Sequence, residues 1–537
     1  MTGRGTGATA PGPGAGRGAW LITGGRPLGG DPADILLTDG TIAEIRGPGD
    51  GGAEAGARLL DAAGLIVLPG LVDLHAHLRE PGREDAETVA TGTAAAALGG
   101  YTAVHAMANT DPVADTAGVV EQIWRLGQQP GRCDVQPVGA VTAGLAGSRL
   151  AELGAMADSA ARVRIFSDDG RCVFDAALMR RALEYVKAFD GVIAQHAQEP
   201  RLTEGAQVNE GEISGRLGLT GWPAVAEEAI IARDCLLAAH VGSALHVCHV
   251  STAGSVEIIR WAKAKGWRVT AEVTPHHLLL TDELAASYDP VFKVNPPLRT
   301  AADVAALRAG LADGTIDCVA TDHAPHSLED KETEWAAAAF GMTGLETALR
   351  VVHAAMVDTG LLDWAGVADR MSVRPAAIGR LDGRGARYHG AGADGDGRDG
   401  AGREGDGREG DREGDGREGH GREGHGREGD GREGDGREGD GREGDREGDG
   451  REGHGREGHG SHGPGSHRGI GRHGCPLVPG SPANLVLYDP APREAVDPAA
   501  HASRSRNSPF AGMVLPGRVM ATFLRGRPTV LDGKLAR

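Results

Sequence analysis

Two histidines, His75 and His77, end the apolar run Val72-Asp73-Leu74-His75-Ala76-His77, and Arg79 follows two residues later. In an extended strand, residues i and i+2 share a face, so both imidazoles can address one metal ion; a helix would splay them apart. Imidazole nitrogen suits zinc and its neighbours. Further donors recur at the ends of other apolar runs: Phe166-Ser167-Asp168-Asp169-Gly170, Gln195-His196, His246-Val247-Cys248-His249 and Ala320-Thr321-Asp322-His323-Ala324-Pro325-His326. Singly these motifs are bland, since a lone histidine is usually a packed side chain, Asp-Asp-Gly a turn and Thr-Asp-His a helix cap. Gathered at one mouth, four imidazoles and two carboxylates would hold one or two divalent ions. A carboxylate bridging such a pair leaves an activated water between them, which is what hydrolysis needs.

The elements that must gather these residues are eight apolar, β-branched runs at 66–77, 102–107, 135–141, 162–166, 192–196, 244–249, 268–274 and 317–321. Helical stretches separate most of them, at 87–98, 176–189, 224–240 and 253–265. Eight β-α units in sequence predict a closed (β/α)8 TIM barrel with its site at the strand C-termini. An open doubly wound sheet would carry a Gly-rich phosphate turn after an early strand, and none is visible. Flanks at 20–45 and 482–536 alternate like short strands. Neither is large enough to fold alone, so they are expected to pair as one composite β-sandwich. The expected organisation is a disordered tail (1–18), an N-terminal sandwich segment (19–66), the barrel (67–382), a low-complexity insertion (383–474) and a C-terminal sandwich segment (475–537).

The insertion consists of Gly-Arg-Glu-Gly-Asp and Gly-Arg-Glu-Gly-His repeats without an apolar face, so disorder is expected there. Its histidines, His420, His425, His454 and His459 among them, are set outside the site. Of the chain's net charge of -19, much lies here: residues 391–470 hold 14 Arg against 23 Asp and Glu. No basic stripe with interleaved aromatics argues for nucleic acid. No apolar run approaches membrane-spanning length, and the 1–18 segment has no apolar core for a signal peptide or anchor. Six cysteines without CxxC pairs read as reduced thiols and a cytoplasmic protein.

Together the motifs become specific. Pro69-Gly70-Leu71-Val72-Asp73-Leu74-His75-Ala76-His77-Leu78-Arg79-Glu80-Pro81-Gly82 resembles the signature of dihydroorotases within the cyclic amidohydrolase superfamily. So do Met107-Ala108-Asn109-Thr110, Ala271-Glu272-Val273-Thr274-Pro275-His276-His277, Asn295-Pro296-Pro297-Leu298-Arg299 and the run from Ala320 to His326. The resemblance implies a zinc enzyme, with one or two ions per subunit, that interconverts dihydroorotate and N-carbamoyl-L-aspartate in pyrimidine biosynthesis. It matches His75 and His77 to one metal, His196 and His249 to the second, and Asp169 to the bridging carboxylate that other relatives replace with a carboxylated lysine. Asp169 is preferred to Asp168 because the family's bridging residue directly precedes the glycine. Asp322 matches the metal-bound catalytic carboxylate. Arg79, Asn109 and His326 match the groups that hold the substrate carboxylate, while Asn295 and the backbone of Phe340 and Gly341 match contacts to the ring.

Two departures stand out: Ala108 where the family usually has proline, expected to loosen the loop carrying Asn109, and the repeat insertion, expected to be tolerated as a loop. His105, His240, His246, His276 and His277 are read as packing or supporting residues. Cys248 is expected to point away from the site, opposite its strand neighbour His249. The expected partners are the small-molecule substrate, further copies of the chain, and aspartate carbamoyltransferase, the preceding enzyme of the pathway. The rival readings are a hydantoinase or allantoinase, against which Asp169 and Arg79 argue, and a non-catalytic scaffold for that transferase, against which the full ligand set argues.

Overall fold

A computed structural model describes residues 18–50, 56–383 and 471–536. Expectations for the tail and for most of the insertion lie outside these residues. Eight short parallel strands form the frame: β1 (Leu71–Ala76), β2 (Tyr101–Ala106), β3 (Asp134–Pro137), β4 (Ile165–Phe166), β5 (Val192–Gln195), β6 (Ala244–Val247), β7 (Val269–Val273) and β8 (Cys318–Val319). Neighbours pair in sequence order as two arcs, β1 to β3 and β4 to β8. The arcs close on each other through the parallel bridges Gly139 to Phe166 and Ala76 to His323, completing the TIM barrel. Strands covered on both faces read as continuous apolar runs, which is why the sequence marks them. Leu74, Met107, Val138, Ile165, Ala194, Cys248, Cys318 and Ala320 fill the barrel interior.

The helices fall where expected, and three of them start on side-chain caps. Thr88 caps Val89–Leu98, Asp175 caps Ala176–Val186 and Thr252 caps Ala253–Ala264, each accepting a backbone N–H of the first turn. Val225–Val241 ends on Gly242 in the left-handed conformation. No helix among the described residues is long and apolar enough to cross a membrane.

One expected strand is two. The run 66–77 breaks at Gly70, where a Cβ would lie 2.3 Å from the Thr102 side chain. Ile66–Pro69 leaves the barrel, pairing antiparallel with Leu485–Ala495 and parallel with Trp20–Pro27. The two ends of the chain thereby share one nine-stranded sheet. Two strands separate Trp20–Pro27 from Val514–Leu524 in that sheet, a span of about 14 Å if flat. Yet the Trp20 and Phe523 rings are 5.5 Å apart, so the sheet curls over a shared core of Trp20, Ile22, Ile35, Val67, Leu485 and Phe523.

The insertion also ends earlier than expected. His473 is fully buried, with Nε2 2.9 Å from Asp134 Oδ2 and Nδ1 3.0 Å from Thr102 Oγ1. Arg525 reaches the same Asp134 carboxylate at 2.5 and 3.0 Å. His473 N donates to Leu381 O (2.8 Å), and Arg472 Nε to Asp382 O (3.2 Å). Residues 471–474 therefore belong to the folded body, held by a carboxylate at the start of β3.

Candidate metal centre and active site

Four imidazoles from three strand ends converge on one carboxylate. Asp169 Oδ1 lies 3.3 Å from His75 Nε2, 3.4 Å from His196 Nδ1 and 3.2 Å from His249 Nε2. Its Oδ2 lies 3.3 Å from His77 Nε2. Asp322 Oδ1, beyond β8, is 3.2 Å from His77 Nε2 and 3.5 Å from His75 Nε2. All six residues are buried. Asp168 faces elsewhere: it accepts Val141 N and Thr142 N at 2.8 and 2.9 Å and pairs with the Thr142 hydroxyl. It shapes the turn that leaves Asp169 at the centre.

The imidazoles are presented with one nitrogen already spoken for. His75 Nδ1 sits 2.8 Å from Glu272 Oε1, His77 Nδ1 2.8 Å from Asn109 Oδ1, and His196 Nε2 2.8 Å from Gln198 Oε1. With acceptors there, each ring places a proton on that nitrogen and leaves the other, which faces the carboxylates, as the one a metal would take. His75 Nε2 is buried without a hydrogen-bond partner, as a metal-ligating nitrogen would be. Burial would raise the Asp169 and Asp322 carboxyls, but the surrounding imidazoles outweigh it and hold both below the usual carboxylate range. Burial would lower the His75 and His196 imidazoles, but the same attraction outweighs it and raises both, so the carboxylates favour a positive charge at this point. Imidazoles and ionised carboxylates, with no thiolate, fit a divalent ion of the zinc type, which would take the place of those protons. His75, His77 and Asp322 form one such group and His75, Asp169 and His249 another.

The remaining expected residues ring this centre. Arg79 Nε donates to Pro325 O (3.1 Å), and its Nη2 is 3.5 Å from His326 Nε2. His326 Nε2 in turn donates to Phe340 O (2.8 Å). Gly341 has φ +144°, and a Cβ there would come within 2.7 Å of His326 Nε2. Asn295 Nδ2 donates to Gln198 Oε1 (3.1 Å), while its Oδ1 is buried without a partner. Asn109 is fixed by His77 despite Ala108, which is itself buried. Arg79, His249 and Asp322 all adopt positive φ, at 60°, 30° and 45°, a backbone cost that concentrates at functional sites.

Residues 64–255 match the family described as dihydro-orotase-like. The dihydroorotase of Streptomyces coelicolor is 58% identical over 96% of this chain and 99% of its own. That of Leifsonia xyli subsp. xyli is 55% identical, covering 96% of each. The chain belongs to the dihydroorotase family. Its barrel and sheet are shared more widely: an L-hydantoinase from Arthrobacter aurescens superposes with a TM-score of 0.71 at 22% identity, covering 96% of this chain and 97% of that one. At that distance the likeness concerns the fold alone.

Several supporting residues of this dihydroorotase were not singled out from sequence. Glu272 on β7 links His75 to His246, whose Nε2 is 3.0 Å away and whose Nδ1 meets Thr270 Oγ1 at 2.9 Å. A lone carboxylate inside Val-Thr-Ala-Glu-Val was the available signal. Asp73 accepts Thr321 N (2.9 Å) and Thr321 Oγ1 (2.5 Å), tying β1 to the segment that carries Asp322. Gln198 lies on a loop and gave no signal. Cys248 corrects the alternation argument: β6 ends at Val247 and His249 has positive φ. Cys248 thus turns inward, its Sγ within 4.8 Å of the His75 and Glu272 donor atoms.

Proposed function

We propose that this dihydroorotase catalyses the reversible cyclisation of N-carbamoyl-L-aspartate to (S)-dihydroorotate in de novo pyrimidine biosynthesis, using one or two zinc ions. His75, His77 and Asp322 would hold one ion, His196 and His249 the other, with Asp169 between them. When bound, zinc lowers the pKa of water toward 7 and polarises a carbonyl. The observation that carries this reading is the placement of Asp169, whose two oxygens face different imidazoles across the mouth.

The chain's own groups supply the rest. Asp322, ionised and facing the centre, accepts a proton from the attacking water and returns it to the ring nitrogen as the amide opens. Arg79, with Asn109 and His326, grips the substrate carboxylate; its planar fork makes two charge-assisted bonds that lysine cannot copy. The unpartnered Asn295 Oδ1 is an acceptor for a ring N–H, and the Phe340 and Gly341 backbone borders the same ring. A cytoplasmic setting accords with Cys133, Cys172, Cys235, Cys248 and Cys318, which are thiols.

The test is turnover of dihydroorotate and N-carbamoyl-L-aspartate by zinc-loaded protein, with allantoin and hydantoin alongside. Activity on the first pair alone, lost on chelation, is expected. Asp322→Asn should retain most zinc yet lose turnover, and near-normal kcat in that variant would remove Asp322 from its role. Preference for allantoin or hydantoin would overturn the substrate assignment.

A further inference from the structure

Beside the site, residues 332–341 run without helix or sheet, so their buried carbonyls need partners from elsewhere. Two buried lysines supply them. Lys293 Nζ donates to Trp335 O (2.7 Å), Ala336 O (3.1 Å) and Ala338 O (2.8 Å), and lies 4.4 Å from the centre of the Phe340 ring. Lys331 Nζ donates to Ala339 O (2.8 Å), Gly341 O (3.1 Å) and Lys293 O (3.2 Å). Each ammonium has three donors, and all six of these bonds end on carbonyls. The loop is wrapped around two internal cations.

The wrapped segment ends on Phe340 and Gly341, the residues read above as substrate contacts. Gly341 N donates to Lys293 O (3.0 Å). Gly341 O also accepts Asn507 Nδ2 (3.2 Å), and Asn507 Oδ1 accepts His326 N (3.3 Å). His326 is bonded to Phe340 O, as described above. Removing the Lys293 ammonium leaves Trp335 O, Ala336 O and Ala338 O without it. Removing that of Lys331 strips Ala339 O, while Lys293 O and Gly341 O each fall back on one bond. Either loss loosens the backbone that Phe340 O presents to His326.

We propose that Lys331 and Lys293 are positioning residues for substrate binding, their carbonyl-caged ammonium groups holding Phe340 and Gly341 in register with His326. The inference rests on the reading of Phe340 and Gly341 as substrate contacts. Neither lysine is assigned a catalytic step. Their effect belongs in KM rather than in metal loading or kcat.

Lys331→Met keeps the volume and removes the charge. In the zinc-loaded protein it should raise KM for dihydroorotate at least tenfold, change kcat less than threefold, leave zinc content unchanged and speed amide exchange across residues 335–342. Lys331→Ala should behave alike and recover on addition of n-propylammonium, which refills the cage. Lys293→Met provides an independent variant should the first fold poorly. Unchanged exchange and unchanged KM would overturn the cage while leaving the reading of Phe340 and Gly341 intact. Faster exchange with unchanged KM would overturn the positioning role through that reading.

Discussion

Glu272→Gln replaces a buried carboxylate by its neutral isostere at a point where the candidate metal centre is fastened to the barrel wall. The carboxylate faces three N–H groups: His75 Nδ1 at 2.8 Å, His246 Nε2 at 3.0 Å and His249 N at 3.3 Å. Those imidazoles outweigh the effect of burial and hold it well below the usual carboxylate range. A glutamine has one oxygen and one NH2, so one imidazole must move its proton. If His75 did so, its Nε2 would have no lone pair to offer a metal beside Asp169 and Asp322. His246 can do so more cheaply, because the Thr270 hydroxyl beside its Nδ1 can accept as well as donate. The variant should therefore fold with His75 still correctly oriented. Its remaining bond to His75 becomes neutral, a loss of about 1 kcal/mol, and the ring becomes a weaker donor. Supporting contacts of this kind change metal affinity by about 10- to 100-fold, or about 1.4–2.7 kcal/mol. Competition against a chromogenic chelator measures this directly, with thermal melting of the metal-free protein as the control for folding. Unchanged zinc affinity in a well-folded Glu272→Gln protein would refute the fastening role.

Three further outcomes are expected. Arg79→Lys should raise KM for both substrates tenfold or more while zinc content stays constant; steady-state kinetics in both directions with metal analysis decide it. Burial raises the Glu346 carboxyl to about 7, against which the Ala502 and Ser503 amides it accepts only partly compensate. An acid whose pKa is raised by folding costs stability as pH climbs from its unfolded value, near 4.5, through 7. Glu346→Gln should accordingly gain on the wild type across that window, by at most about 3 kcal/mol at pH 8, and melting curves at pH 5, 6.5 and 8 would show the gap widening or refute it. His473→Ala leaves the Asp134 carboxylate short of one buried partner and should lower the melting temperature without moving KM, since His473 sits at the N-terminal ends of β2 and β3, away from the mouth; a raised KM would contradict that placement.

The barrel is legible in the sequence because its parallel strands are buried on both faces and read as apolar runs separated by helical stretches. The candidate metal donors are legible for the same reason: a polar residue ending such a run, as at His75, His196 or Asp322, stands out. Position-specific roles came through resemblance. The break at Gly70 is not legible, since only the packed Thr102 side chain shows why a Cβ cannot stand there. His473 is hidden by the composition around it, and its partner Asp134 is 339 positions away. Cys248 misleads because alternation holds only while a strand lasts. Lys293 and Lys331 look like ordinary surface cations until the loop that folds around them is seen.

The clasp of Leu381 and Asp382 onto Arg472 and His473 bears on how many pieces of chain the enzyme needs. The covalent path from 384 to 470 joins two points that non-covalent contacts already hold together. The chain beyond it contributes Leu485–Ala495, which lies in the sheet between Ile66–Pro69 and Val514–Leu524, and Asn507, which braces His326. Protease cleavage within the repeat would leave a nicked protein whose halves stay associated through strand pairing and a shared core. Separately produced halves would have to meet by collision, losing the effective concentration that a tether provides. The repeat thus marks a seam in the sequence: a cut there would put every candidate metal donor on the first fragment and the brace behind His326 on the second.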